Sequence, residues 1–306
     1  MNDYLAPRRG AEVKKLRNQL AGYFAAKGDA VQKKYPYILR DRNDWPKNMI
    51  DSRITDYIDR IKDERQKQGQ HFPLHKYIHH GLSSQALLFN LLGIVIVEKH
   101  YDILDDVLVR AGIMAKGKVN SVELEIEDRD VFNERRPQPT SIDLVIHTNS
   151  NEHLFVEFKF TEAEFGGCSL FQNGDCDGEN PSLNFEKCWL HYLKCTYWVL
   201  MDKHGLLTQQ VRNDTRCPFM DLYQAYRVLL FSLKKKGEFI LMYDNRNPVF
   251  YVETPSGPRG LYARFLSYLP LVVRSKCHLI STQDVFDCVS SKITDQWVTE
   301  LREKYF

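Results

Sequence analysis

At residues 141–160 the chain reads SIDLVIHTNSNEHLFVEFKF, two apolar runs separated by Thr148-Asn149-Ser150-Asn151. Ile142 to Ile146 forms one strand, Leu154 to Phe160 forms another, and the Asn/Ser cluster between them is turn chemistry, so the pair reads as a hairpin. Residues two apart on a strand share a face. Glu157 and Lys159 therefore point one way, while Val156, Phe158 and Phe160 point into the core. On the partner strand Asp143 faces opposite to Ile142, Leu144 and Ile146. Charged side chains are rarely buried unless paired or bound to metal. Two carboxylates as close as a hairpin brings Asp143 and Glu157 repel unless a divalent cation lies between them, and oxygen ligands suit Mg²⁺ or Mn²⁺. Lys159 beside them is placed to stabilise negative charge developing on a phosphate. The plainer alternative is a solvated sheet face carrying an ion pair.

Upstream of the hairpin, residues 83–99 read as a helix opened by a Ser83/Ser84 cap and apolar around most of its circumference, which predicts burial. A second helix, 102–111, ends at Gly112. The alternation of Val122 to Ile126 predicts a strand. Downstream, helices are expected near 184–200 and at 219–234, the latter leading into a strand from Phe239 to Tyr243. Helix, three strands, helix, strand is a mixed α/β core. The last sixty residues add a strand and a closing helix.

Asp143 followed by Glu157-Phe158-Lys159, in the order αβββαβ, resembles the PD-(D/E)XK nuclease superfamily, although Ile142 stands where that motif has proline. The wording is also similar to a bacterial restriction-endonuclease group typified by a Porphyromonas protein. That likeness is carried by Ser83-Ser84-Gln85-Ala86 with Asn90, Pro139-Thr140-Ser141-Ile142-Asp143, Glu157-Phe158-Lys159, and Cys217-Pro218-Phe219 with Tyr223-Gln224 and Arg227, over about residues 80–245. The resemblance implies a Mg²⁺-dependent phosphodiesterase, with Asp143 and Glu157 as metal ligands, the Phe158 carbonyl as a third, and Lys159 as the catalytic lysine. It also implies that an additional acid comes from the first core helix or nearby: Glu98, Glu125 and Glu134 all remain open. A glutamine on the later core helix lies near the catalytic lysine in related exonucleases, which makes Gln224 a candidate. Gln85, polar on an apolar helix, faces either the site or the backbone.

Cys168, Cys176, Cys188, Cys195 and Cys217 fall within a Gly/Asp-rich excursion after the Glu157–Lys159 strand. Four thiolates bind structural Zn²⁺, or an iron–sulfur cluster such as some nucleases of the superfamily carry. A continuous 184–200 helix puts Cys188 and Cys195 about 10.5 Å of rise apart, too far for one ion, so Cys168, Cys176, Cys188 and Cys217 are the expected set. Buried free thiols are the alternative. His71, His75, His79 and His80 surround Pro73 and read as a cap or surface cluster.

With 306 residues, 43% apolar and 27% charged, the chain is a globular protein with a net charge of +2. Residues 1–70 hold 16 Lys/Arg against 10 Asp/Glu, a basic arm that suits a polyanion or a solvated helical surface. The longest apolar run, Ala86 to Val97, is too short for a membrane span, and the N-terminus does not resemble a signal peptide. A cytoplasmic protein with reduced or metal-bound thiols is expected. The expected organisation is a basic helical region (1–75), a nuclease-like core (76–250) with a Cys-rich insertion (161–218), and a C-terminal extension (251–306). The expected function is a Mg²⁺-dependent DNA endonuclease in restriction or phage defence, with DNA as partner and a homodimer compatible with the sequence. A non-catalytic nucleic-acid-binding module, a repair-type exonuclease and an RNase are the alternatives.

Overall fold

Val119–Asp128 (β1), Thr140–Thr148 (β2), His153–Lys159 (β3), Glu238–Tyr243 (β4) and Cys277–Ser281 (β5) form one sheet in that order in the computed structural model, which describes residues 5–134 and 139–306. The first three strands are antiparallel, and β3, β4 and β5 run parallel. The hairpin joining β2 and β3 closes with Thr148 N–H donating to Glu152 O, and Asn151 takes the left-handed conformation (φ 61°) that asparagine tolerates.

Among the described residues eight longer helices surround the sheet: Leu5–Ala26 (α1), Ser52–Lys67 (α2), Ser84–Val97 (α3), Tyr101–Arg110 (α4), Phe219–Lys234 (α5), Leu261–Tyr268 (α6), Thr282–Lys292 (α7) and Gln296–Tyr305 (α8). The expected αβββαβ core is therefore present as α3, β1, β2, β3, α5 and β4, with β5, α7 and α8 following. The Ser83 hydroxyl caps α3 by accepting from Ala86 N–H at 3.3 Å. Gly93 lets α2 lie close, because a Cβ there would sit 2.9 Å from Ile54 Cγ1.

Strand alternation sorts the core into two layers. Leu154, Val156 and Phe158 of β3, Phe160 just after it, and Ile240 and Met242 of β4 pack under α3, α4, α7 and α8, and Leu16, Leu20, Ile54 and Ile58 of α1 and α2 join that layer. Phe155, Phe239, Leu241 and Tyr243 face the other way, under α5, α6 and the 161–218 insertion. Glu157 and Lys159 follow Phe155 on this second face. Both faces are covered, as parallel strands require.

The helix expected at 184–200 is not continuous. It is a 3₁₀ turn at Phe185–Lys187, a short helix at Trp189–Tyr192, and another at Tyr197–Lys203. The break has a local cause: Lys194 takes φ 67°, Cys195 N–H closes back on Leu190 O, and Thr196 N–H is spent on Phe132 O instead of continuing a helix. The rise separating Cys188 from Cys195 therefore does not apply. Among the described residues no helix is long and apolar enough to cross a membrane.

Candidate active site

The register of the sheet lines up three carboxylates. Leu124 pairs with Leu144 and Ile126 with Ile142, which sets Glu125 opposite Asp143; Leu144 pairs with Val156, which sets Asp143 opposite Glu157. The β2–β3 ladder ends at Leu144–Val156, and beyond it the strands part. There the Phe158 N–H donates to Asp143 Oδ2 at 2.7 Å instead of to a main-chain carbonyl. In an extended strand a residue's N–H and C=O point the same way, so the Phe158 carbonyl also turns toward the β2 side. The parting opens a cleft of about 1280 Å³ lined by Glu125, Asp143, Glu157, Lys159, Glu162, Gln224 and Arg227, with Gln85 and the His71–Lys76 segment on the far wall.

Glu157 and Lys159 are only 4% and 6% exposed, so they do not form a solvated ion pair. Lys159 Nζ lies 2.7 Å from Glu157 Oε1 and donates to Gln224 Oε1 at 2.6 Å. Burial disfavours its charge, but Glu157, Glu162 and Asp143 outweigh that and hold Lys159 above its ordinary pKa. Gly166, at φ 68°, makes room for this contact: a Cβ there would lie 3.0 Å from Gln224 Cδ.

Asp143 has the opposite problem. Burial, then the facing Glu157 carboxylate, push its pKa up to about 7. Burial and the Asp143 charge likewise raise Glu125 well above the carboxylate range. Glu125 is held in a left-handed conformation (φ 52°), with Gln85 Nε2 donating to its Oε1 at 2.7 Å and Ser141 Oγ to its Oε2 at 3.3 Å. Gln85 also donates to Pro73 O and accepts from His75 N–H, so it serves the site and the backbone at once.

Of the three open acids, Glu125 alone joins the cleft. Glu98 sits at the end of α3 and pairs with Arg53. Glu134 is buried under Tyr197 and accepts from Thr140 N–H at 2.7 Å and its hydroxyl at 2.9 Å. Of the histidines read as a cap or surface cluster, His71 and His75 line the cleft with Pro73, Leu74 and Lys76 while His79 and His80 do not, and Arg227 lines it one turn beyond Gln224.

Burial, and then the nearby Cys188 and Cys176, push the Cys168 and Cys217 thiols up, so the four expected cysteines lie in one neighbourhood. Cys168 N–H donates to Phe219 O, Cys217 N–H to Gly178 O, and Gly178 N–H to Cys176 Sγ. All seven cysteines are free thiols. Among the described residues no three His, Cys, Asp or Glu side chains are grouped to hold a metal ion. The insertion has another source of order. Phe165, Leu190, Tyr197, Trp198, Met201 and Leu206 are buried in the second core layer, with Trp198 between Phe185 and Phe219.

A mixed sheet with helices on both faces, and an Asp, a Glu and a Lys where its central strands part, is a restriction-endonuclease-like α/β core. The chain belongs to the family described as Restriction Endonuclease associating with ARP, whose model matches residues 14–306. Membership ties it to a nuclease-related role. The match extends into the N- and C-terminal regions, beyond the stretch that carries the sequence resemblance. No curated protein and no solved structure matches the chain.

Proposed function

We propose that this protein is a Mg²⁺- or Mn²⁺-dependent DNA endonuclease of the PD-(D/E)XK type that acts in restriction or phage defence. The observation that carries the reading is the cluster of half-buried Asp143 with buried Glu157 and Lys159, in which facing carboxylates outnumber the cation that offsets them. The donor set fits the ion: Mg²⁺ is usually held by one or two carboxylates plus substrate oxygens, not by an all-protein shell, and Asp143, Glu157 and the Phe158 carbonyl supply hard oxygen. When bound, the ion supplies Lewis acidity toward a phosphate and an attacking water.

The chain's own residues do the rest. Phe158 N–H fixes one oxygen of Asp143, leaving the carboxylate aimed between β2 and β3. Lys159 keeps its proton and presents an ammonium to charge that builds on the phosphate. Gln224 accepts from that ammonium and fixes where it points. Glu125, steadied by Gln85 and Ser141, completes the acidic floor. The association named in the family's description is carried to this chain as part of the same proposal.

Purified protein incubated with plasmid, linear DNA and RNA, with and without Mg²⁺, tests the reading. Internal cleavage of DNA that requires Mg²⁺ or Mn²⁺ supports it. Cleavage of RNA alone, or only from DNA ends, reassigns the substrate class, and no cleavage under any condition contradicts it.

A further inference from the structure

Arg227 lies on the face of α5 that carries Gln224, three residues on, and lines the cleft beside Glu157 and Lys159. Its guanidinium lies over the Tyr223 ring, with Cζ 5.4 Å from the centroid. Its Nε is buried without a hydrogen-bond partner among the described residues. Lys159, by contrast, is already engaged by both Glu157 and Gln224. A buried, unpaired donor on a permanently charged group costs free energy, and such a group is retained where something else completes it. The guanidinium is a planar fork matched to two oxygens of a phosphate, and its contact with the Tyr223 ring restrains it in advance.

We propose that Arg227 binds a backbone phosphate of the nucleic acid in this cleft, donating from Nε and one Nη to its non-bridging oxygens. The inference rests on the nuclease reading of the site and adds to it the contact that holds the substrate. The division of labour follows from position: Lys159 is tied to Glu157 and Gln224 where charge develops, and Arg227 sits one helical turn beyond Gln224 with its Nε unpaired among the described residues. Tyr223 is itself held by its hydroxyl, which donates to Tyr197 Oη at 3.0 Å.

The test compares wild type with Arg227→Met, which keeps the apolar stem against Tyr223, and Arg227→Lys, which keeps the charge but loses the fork. Duplex DNA affinity is measured in Ca²⁺ and steady-state cleavage in Mg²⁺. The expected result is a loss of affinity of about ten- to a hundredfold for Arg227→Met, seen as raised KM more than lowered kcat, with a partial loss for Arg227→Lys and little change in unfolding midpoint. Unchanged affinity in a folded Arg227→Met protein overturns the inference while leaving the nuclease reading standing. Should the variants fail to fold, the ¹⁵N signal of Arg227 Nε in wild type decides: it shifts on titration with inorganic pyrophosphate, and an unmoved signal overturns the inference. Wild type that neither binds nor cleaves DNA brings down the nuclease reading instead, and the pyrophosphate titration still judges Arg227.

Discussion

Asp143 Oδ2 accepts the Phe158 amide hydrogen at 2.7 Å, in the place where a main-chain carbonyl of β2 would continue the ladder. A side chain has been substituted for backbone at the point where β2 and β3 separate. The cleft and its chemistry thus have one origin: the residue that ends the pairing also contributes a carboxylate to the gap.

That carboxylate predicts a pH dependence. The Asp143 pKa is raised from 3.8 to about 7, so the folded protein keeps a proton that the unfolded chain releases. Between about pH 4 and 7 the unfolded state binds fewer protons, and stability falls as pH rises. Thermal unfolding of metal-free protein should show this fall, and Asp143→Asn should flatten it. Saturating Mg²⁺ should stabilise wild type more at pH 8 than at pH 5. A wild type whose stability rises relative to Asp143→Asn across that window contradicts the assignment.

Removing the cation should cost more than removing an anion. Lys159→Met leaves Glu157, 4% exposed, with no ammonium against it. Breaking a buried pair from one side costs about 3–5 kcal/mol. Denaturant unfolding in EDTA should show a loss of that size, with part of it recovered in Mg²⁺. A metal-free Lys159→Met protein as stable as wild type contradicts the pairing.

Gly166 and Gly174 offer a paired comparison. Both have positive φ, 68° and 82°, but a Cβ at Gly166 meets Gln224 whereas one at Gly174 meets nothing within 4 Å. Each alanine variant should lose about 1–2 kcal/mol of stability from backbone strain. Only Gly166→Ala should also slow cleavage, by displacing Gln224 from Lys159. Equal cleavage rates for the two variants show that the Gln224 contact does not matter to turnover.

For the insertion, Trp198→Ala should cost about 3–5 kcal/mol, because the side chain is fully buried between Phe185 and Phe219. Chelators should leave the unfolding midpoint of wild type, as purified, unchanged. About one zinc, or four irons, per chain together with chelator-sensitive unfolding restores a thiolate centre to this region.

The hairpin was legible because period-two alternation assigns every charged residue a face, and register then fixes which residues oppose one another. That Asp143, Glu157 and Lys159 come together followed from that alone, while the roles proposed for them rest on the resemblance. Glu125 did not, since its place depends on a left-handed backbone angle in β1 that alternation does not encode. The clue was Gln85, a lone amide on an apolar helix whose partners lie 10, 12 and 40 residues away. The His71–Lys76 wall was hidden for the same reason, being held by that side chain and not by a local pattern. In the insertion, cysteine spacing drew attention from Tyr197 and Trp198, whose burial orders the segment. A helix expected across 184–200 failed where Thr196 found a better partner in Phe132.

The central claim is that the face of β3 carrying Glu157 hydrolyses the phosphodiester bond. Glu157→Gln tests it most directly, because it keeps the shape and removes the charge that both the ion and Lys159 require. DNA cleavage by wild type and Glu157→Gln is measured side by side in Mg²⁺ and in EDTA, with unfolding midpoints recorded for both. The account predicts Mg²⁺-dependent cleavage by wild type and none above background by a folded Glu157→Gln protein. Undiminished cleavage by the variant, or cleavage by wild type that persists in EDTA, would contradict it.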